Sequence, residues 1–128
     1  MPVQRVAIIG LGLIGASLGL ALHRLPRPPQ IVGYDRDNDA LRRAARRHAV
    51  DRTEPTATAV VADADLVVIA TPVRTVVPLL LEAAAHLAPG CVVTDTGSTK
   101  TQVVTGAAEA APGIAFVEIG RASCRERV

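Results

Sequence analysis

Three glycines lie in the hexapeptide GLGLIG, directly after a short apolar strand pattern and at the start of a helical pattern. Gly10 can make a tight turn, Gly12 has no Cβ to hinder an approaching group, and Gly15 lets the helix pack closely. The free N–H groups at such a helix start attract phosphate. The pattern therefore predicts that this turn binds the pyrophosphate of a dinucleotide. The predicted phosphate site comprises all six residues of the turn: Gly10, Leu11, Gly12, Leu13, Ile14 and Gly15.

Asp35 ends the second predicted strand, 20 residues after Gly15. At this distance, a carboxylate reaches the adenosine ribose of a dinucleotide, where it accepts from the 2′ hydroxyl and repels a 2′ phosphate. The spacing therefore predicts NAD rather than NADP. Arg36 argues the other way, because its guanidinium could pair with that phosphate and such a bond is worth about 1.5–3 kcal/mol. A flavin dinucleotide is a weaker alternative, because no later part of the sequence indicates a flavin site. The structural alternative is an unrelated glycine-rich turn, with Asp35 capping the next helix.

A second candidate segment, ATPV at residues 70–73, ends a continuous apolar strand pattern. In an open parallel sheet the carboxyl ends of the strands line the ligand crevice. We therefore expect Thr71, Pro72 and Val73 to border the cofactor, with Pro72 stiffening the loop on the nicotinamide side. An ordinary strand-to-helix turn would use the same residues.

The segment VTDTGSTK, residues 93–100, brings a carboxylate, hydroxyls, a glycine and the only lysine to the next strand end. A hydroxyl placed there could steer a reacting alcohol. The alternative is structural, with Ser98 or Thr99 capping the following helix and Asp95 closing the turn.

The elements that must position these residues alternate between strand and helix. Strands are predicted at residues 4–9, 31–35, 65–72 and 113–117, and a strand with its following loop at 90–98. Helices are predicted at 13–25, 38–49, 56–64, 75–87 and 99–110. Because parallel strands joined by helices make right-handed crossovers, this order predicts an α/β fold, a doubly wound parallel sheet with helices on both faces. The spacing from Gly15 to Gly19 indicates close helix packing, and the four arginines between residues 42 and 47 indicate a solvated helix face.

Composition narrows the remaining functions. The 128 residues suit one domain, and 14 Lys plus Arg against 12 Asp plus Glu predict neither a nucleic-acid partner nor a membrane partner. The uncharged stretch 6–22 is interrupted by glycines and is shorter than the ~20 residues that span a bilayer. Cys91 lies in an apolar run and Cys124 near the end of the chain, so no disulfide or metal site is indicated and a reducing cytoplasm is expected.

Four segments, in this order and spacing, resemble the nucleotide-binding half of prephenate dehydrogenases and their arogenate-using relatives in tyrosine biosynthesis: VAIIGLGLIGASLGLAL, GYDRD, ADLVVIATPV and VTDTGSTK. The resemblance covers residues 4–117, and the D-x-G-S-x-K pattern distinguishes it from the related β-hydroxyacid dehydrogenases. It implies a Rossmann fold and an oxidative decarboxylation of prephenate or arogenate with hydride transfer to NAD. It also implies that Ser98 lies beside the nicotinamide and the substrate, where it supports a catalytic histidine.

The resemblance ends at Glu118. In the family, the next segment supplies the histidine, and a helical substrate and dimerisation domain follows, which implies that the complete protein is a homodimer. Residues 118–128, EIGRASCRERV, instead resemble the translation of a sequencing adapter. We therefore expect a dinucleotide-binding domain at 1–117, a non-native tail at 118–128, and no activity of this chain alone. The alternatives are a non-catalytic NAD-binding module and a related β-hydroxyacid-type dehydrogenase.

Overall fold

The computed structural model describes residues 3–96 and, for the backbone only, residues 115–118. Its strands are β1 (Arg5–Ile9), β2 (Gln30–Tyr34), β3 (Arg52–Thr53), β4 (Leu66–Ile69), β5 (Val92–Asp95) and β6 (Ala115–Glu118). Its helices are α1 (Leu13–His23), α2 (Asn38–Arg46), α3 (Ala57–Val60) and α4 (Val73–Ala83), and a 3-10 turn, Ala84–His86, continues α4.

All six strands form one sheet in the order β3-β2-β1-β4-β5-β6, and every neighbouring pair is parallel. The strand β1 lies at the centre, where Ile9 is aligned with Tyr34 on one side and with Ile69 on the other. The chain moves outward from β1 to β3 and then crosses back to β4, so the order reverses between β1 and β4. This is the strand order of a Rossmann fold, and it confirms the predicted doubly wound parallel sheet.

Alternate residues of the strands supply two separate cores. Ala7, Ile9 and Val67 face one side of the sheet, where they pack with residues of α3 and α4. Val6 and Ile8 face the other side, where they pack with residues of α1 and α2. Because β1 and β4 are covered on both faces, their sequences are continuously apolar rather than alternating, which is why both strands were recognisable from sequence.

Several boundaries differ from the predicted ones. The two-residue strand β3 was not predicted, because it is exposed and has no apolar pattern. The helix α2 ends at Arg46, earlier than predicted, because His48 adopts a left-handed φ of 58° that a helix cannot accommodate. The predicted helix at 99–110 lies outside the described residues, whereas the last strand extends to Glu118, one residue past the predicted domain boundary.

Gly19 brings α1 close to the segment that follows α2. A Cβ built on Gly19 would overlap the carbonyl oxygen of Ala49, so no larger residue fits without a shift of the backbone. The predicted close packing of this helix face is confirmed.

Cys91 is buried in the core under α4, as the apolar run around it indicated. Burial, together with the nearby negative charge of Asp65, raises the pKa of its thiol to about 11. The side chain therefore stays a neutral thiol at physiological pH and packs as a small apolar group.

Among residues 3–96 and 115–118, the longest helices have 11 residues, and none is long and apolar enough to cross a bilayer.

Candidate nucleotide-binding site

The glycine turn follows β1 at the point where the strand order of the sheet reverses. Gly10 has a φ of 100°, and its N–H donates to the carbonyl oxygen of Tyr34 at 2.8 Å. On its other side, a Cβ at Gly10 would lie 2.7 Å from the carbonyl oxygen of Ala70, at the end of β4. Both the left-handed backbone and the close approach require glycine here. The turn is therefore held between the carboxyl ends of β2 and β4.

The turn leads directly into the N-terminus of α1. Gly12 is the N-cap, no side chain caps the helix, and its first turn contains no acidic residue. A Cβ on Gly15 would overlap the carbonyl oxygen of Gly10, so the helix begins in close contact with the turn. The first N–H groups of a helix have no acceptor within the helix and carry a partial positive charge, so this end of α1 favours an anion.

Gly12 differs from the other two glycines of the motif. Its φ is −71°, which any residue can adopt, and a Cβ built on it would have no atom of the described residues within 4 Å beyond its own chain neighbours. The packing of the described residues therefore does not require glycine at this position. An external group that approaches the backbone does require it, which is the role predicted for Gly12 with the pyrophosphate.

The three apolar residues of the turn have different surroundings. Leu11 is only 3% exposed and packs over Gly33, on which a Cβ would lie 2.9 Å from the Cδ1 atom of Leu11. Leu13 and Ile14 are 81% and 58% exposed. Leu11 therefore fastens the turn to β2 through its side chain, whereas Leu13 and Ile14 contribute backbone N–H groups at the start of the helix.

Asp35 follows β2 and is half-buried beside the turn. Its Oδ2 atom accepts from the N–H of Leu11 at 2.8 Å, and its Oδ1 atom accepts from the N–H of Asp37 at 2.9 Å. The acid and the glycine turn, predicted as separate parts of one site, are thus directly bonded.

A cleft of about 440 Å³ opens between the end of β2 and the exposed side of α4, within the size range of small-molecule sites. It brings together five predicted residues, which are Gly10, Asp35, Arg36, Thr71 and Pro72. The remaining residue predicted to border the cofactor beyond the turn, Val73, does not line this cleft; it is half-buried and packs against the core. The histidines His23, His48 and His86 do not line it either.

Thr71 and Pro72 are fixed by the first turn of α4. The hydroxyl of Thr75 lies 2.6 Å from both the carbonyl oxygen of Pro72 and the hydroxyl of Thr71. Since the carbonyl can only accept, Thr75 donates to Pro72, and the hydroxyl of Thr71 donates to Thr75. This arrangement lets α4 begin at Val73, two residues earlier than predicted, and holds Thr71 at the edge of the cleft.

One wall of the cleft was missed by sequence reasoning. It comprises residues on one side of α4: Arg74, Thr75, Pro78, Leu79 and Glu82. Their spacing of three or four residues was visible in the sequence, but it does not by itself reveal which side of a helix faces a ligand. Arg36 and Arg74 both line the cleft, and neither guanidinium forms an ion pair with another described residue. The cleft therefore combines the carboxylate of Asp35 with two available cations.

The next strand end reaches the same edge of the sheet. Asp95, the last residue of β5, is fully buried and aligned with Ile69, and the N–H of Thr96 donates to the carbonyl oxygen of Ile69 at 3.1 Å. Ser98 lies outside the described residues, so its role stays a prediction.

Comparison with known proteins places this geometry in a family. The family model described as the nucleotide-binding domain of prephenate dehydrogenase matches residues 18–119. That range includes Asp35, the segment 71–73 and Ser98, and it starts after the glycine turn.

Individual relatives agree with the family match. A prephenate dehydrogenase of Lactococcus lactis is 30% identical over 102 residues, which are 79% of this chain and 28% of that protein. The crystal structure of Synechocystis arogenate dehydrogenase is 30% identical and has a TM-score of 0.79, covering 94% of this chain and 43% of that one. The structure of prephenate dehydrogenase from A. aeolicus in complex with hydroxyphenyl propionate and NAD+ is 26% identical and has a TM-score of 0.82, covering 92% of this chain and 41% of that one.

The chain thus spans less than half the length of these relatives. Over the part that it does span, the sheet order, the glycine turn and the family match all agree. The chain belongs to the family of prephenate dehydrogenase nucleotide-binding domains.

Proposed function

We propose that this chain is the NAD-binding half of a prephenate or arogenate dehydrogenase. The observation that carries the proposal is the open space at Gly12. This glycine caps a helix that no side chain of the described residues caps, and nothing in their packing requires a residue without a Cβ there. A phosphate that approaches the backbone would require it.

The residues of the cleft fit the rest of a dinucleotide. With the pyrophosphate at the start of α1, the adenosine ribose reaches Asp35, and the adenine enters the cleft against Pro78 and Leu79 of α4. The end of β4, at Thr71 and Pro72, then borders the half of the cofactor nearer the nicotinamide. The relative from A. aeolicus, whose structure was determined with NAD+, supports this assignment by similarity.

Asp35 favours NAD over NADP in this arrangement. Its carboxylate can accept hydrogen bonds from the ribose hydroxyls, and it would repel a phosphate at the 2′ position. Arg36 and Arg74 would attract that phosphate, but they lie on exposed parts of the cleft, where solvent weakens their effect. We therefore propose that the carboxylate determines the preference.

The family resemblance supports the proposed reaction. Prephenate or arogenate is oxidised at its ring hydroxyl carbon and loses a carboxylate as carbon dioxide, which makes the ring aromatic. When bound, NAD supplies the acceptor for the hydride. Ser98, three residues after the end of β5 in the chain, is proposed from the family resemblance to orient the reacting hydroxyl and the histidine that removes its proton.

The remaining parts of the proposal also rest on the family. The domain comprises residues 1–117 and residues 118–128 are a non-native tail, a boundary close to the end of the family match at residue 119. The complete enzyme is proposed to be a cytoplasmic homodimer that acts on a small-molecule substrate.

The first prediction tests the role of Gly12. Gly12→Val should abolish binding of both NAD and NADP, because a branched side chain would occupy the approach of the pyrophosphate. The fold should persist. The free energy of unfolding should fall by about 1 kcal/mol or less, because valine is a poorer N-cap residue than glycine. NADH fluorescence and denaturation with urea measure the two effects.

Gly19→Val is the matched control in the same helix. Its side chain would meet the carbonyl of Ala49, so this substitution should lower the free energy of unfolding by about 1–3 kcal/mol or more. If Gly12→Val bound NAD as tightly as the unmodified chain, the phosphate site would be wrongly placed.

The second prediction concerns the choice of cofactor. The unmodified chain should bind NAD at least about tenfold more tightly than it binds NADP. This ratio of affinities corresponds to the free energy of a hydrogen bond to a charged group. Asp35→Ala should lower the ratio of NAD affinity to NADP affinity, and Arg36→Ala should raise it. Titration calorimetry with both nucleotides measures the ratio. Equal or tighter binding of NADP by the unmodified chain would contradict the assignment to Asp35 and favour Arg36.

The third prediction concerns Ser98 in a complete enzyme that carries this domain. Ser98→Ala should lower kcat by about tenfold or more, which is about 1.4 kcal/mol in the barrier, because the reacting hydroxyl loses its orientation. The affinity for NAD should change little, since the proposed role of the serine concerns the reacting hydroxyl and not the binding of the nucleotide. An unchanged kcat would leave Ser98 with a helix-capping role alone.

The fourth prediction is that the 128-residue chain forms no NADH above background with prephenate or arogenate. The reaction needs a base held to within about 0.5 Å of its productive position, and none of His23, His48 and His86 lines the cleft. A steady-state absorbance assay for NADH checks this, with NAD binding as the control for a folded domain. Turnover by this chain would show that the base lies within it.

A further inference from the structure

The carboxylate of Asp35 is held by hydrogen bonds from the backbone. Each of its oxygens accepts one backbone N–H, from Leu11 at 2.8 Å and from Asp37 at 2.9 Å. A carboxylate oxygen has two acceptor sites, so both oxygens can still accept from a ribose hydroxyl. Asp35 therefore has the capacity for two tasks at once.

The bond to Leu11 is part of a larger attachment between the glycine turn and β2. The preceding N–H, that of Gly10, donates to Tyr34 at 2.8 Å, and the side chain of Leu11 packs over Gly33. The first two residues of the turn thus contact three consecutive residues, which are Gly33 and Tyr34 of β2 and Asp35 directly after it. Of these contacts, the bond to Asp35 is the one made through a polar side chain.

The bond to Asp37 extends the attachment to the next helix. The Oδ1 atom of Asp37 accepts from the N–H of Asp39 at 3.0 Å and so caps α2. Asp35 therefore links the glycine turn on one side to the start of α2 on the other.

We propose that Asp35 is a positioning residue for the glycine turn as well as the ligand of the ribose, so that one carboxylate couples ribose recognition to pyrophosphate binding. The inference rests on the proposed NAD site. It implies that loss of Asp35 weakens binding even of a dinucleotide that has no hydroxyl for the carboxylate to accept from, because the N–H groups of the turn are no longer held towards the phosphates.

The experiment compares NAD with its analogue in which the adenosine ribose lacks both hydroxyls. With the unmodified chain, the analogue measures binding without the ribose contact. We expect Asp35→Ala to bind the analogue about fivefold or more weakly than the unmodified chain does, since only the turn can account for that loss. Equal or tighter binding of the analogue by Asp35→Ala would show that the carboxylate acts through the ribose alone and would overturn the proposal.

Two further variants distinguish positioning of the glycine turn by Asp35 from a general loss of structure. Asp35→Asn keeps one accepting oxygen for the N–H of Leu11, so it should bind the analogue within about threefold of the unmodified chain. Asp37→Ala removes the cap of α2 but keeps the backbone N–H that donates to Asp35, so it should leave the affinity for the analogue unchanged. A loss in Asp37→Ala as large as that in Asp35→Ala would contradict a specific role for Asp35.

Amide hydrogen exchange tests the bond itself without a ligand. The Leu11 amide should be protected in the unmodified chain and should exchange about tenfold faster or more in Asp35→Ala, whereas the Gly10 amide, bonded to Tyr34, should stay protected. An unprotected Leu11 amide in the unmodified chain would overturn the proposal even if Asp35→Ala failed to fold. Absence of NAD binding by a folded, unmodified chain would instead refute the proposed function.

Discussion

The candidate site depends on the close approach of the glycine turn to the ends of two strands. Gly10 lies between the carbonyl oxygens of Tyr34 and Ala70, with a hydrogen bond to the first and no room for a Cβ beside the second. This approach is possible only because β1 is paired in parallel with both β2 and β4. The same pairing places the two strand ends on either side of the turn, where a ligand can contact all three segments.

The close approach of the turn to the two strand ends also determines how charge is distributed around the cleft. The N-terminus of α1 supplies a partial positive charge for phosphates, and Asp35 supplies a carboxylate at the end of the neighbouring strand. Arg36 and Arg74 also line the cleft. A dinucleotide, with its central phosphates and a ribose at some distance from them, is complementary to this arrangement. A free phosphate alone would use only the helix end.

The family assignment and the geometry support each other through different residues. The family match covers 18–119 and so depends on the strands and helices after the glycine turn, whereas the open space at Gly12 is a local property of the turn itself. The family match and the turn geometry together are stronger evidence for a nucleotide-binding site than either alone, because a glycine-rich turn is common to many nucleotide-binding proteins of different function. The relatives are more than twice as long as the part matched here.

The sequence by itself determined the alternation of strands and helices, the parallel sheet and the glycine turn with its acid, because these depend on residues close together in the chain. Strands buried on both faces are continuously apolar, and the turn needs glycine at set positions. Only the tertiary structure decided that Leu11 is buried and bonded to Asp35, that Val73 packs against the core, and that one side of α4 forms a wall of the cleft. The short strand β3 also emerged only there, through its pairing with β2. These features arise between segments that are distant in the chain, and the sheet must form before such segments meet.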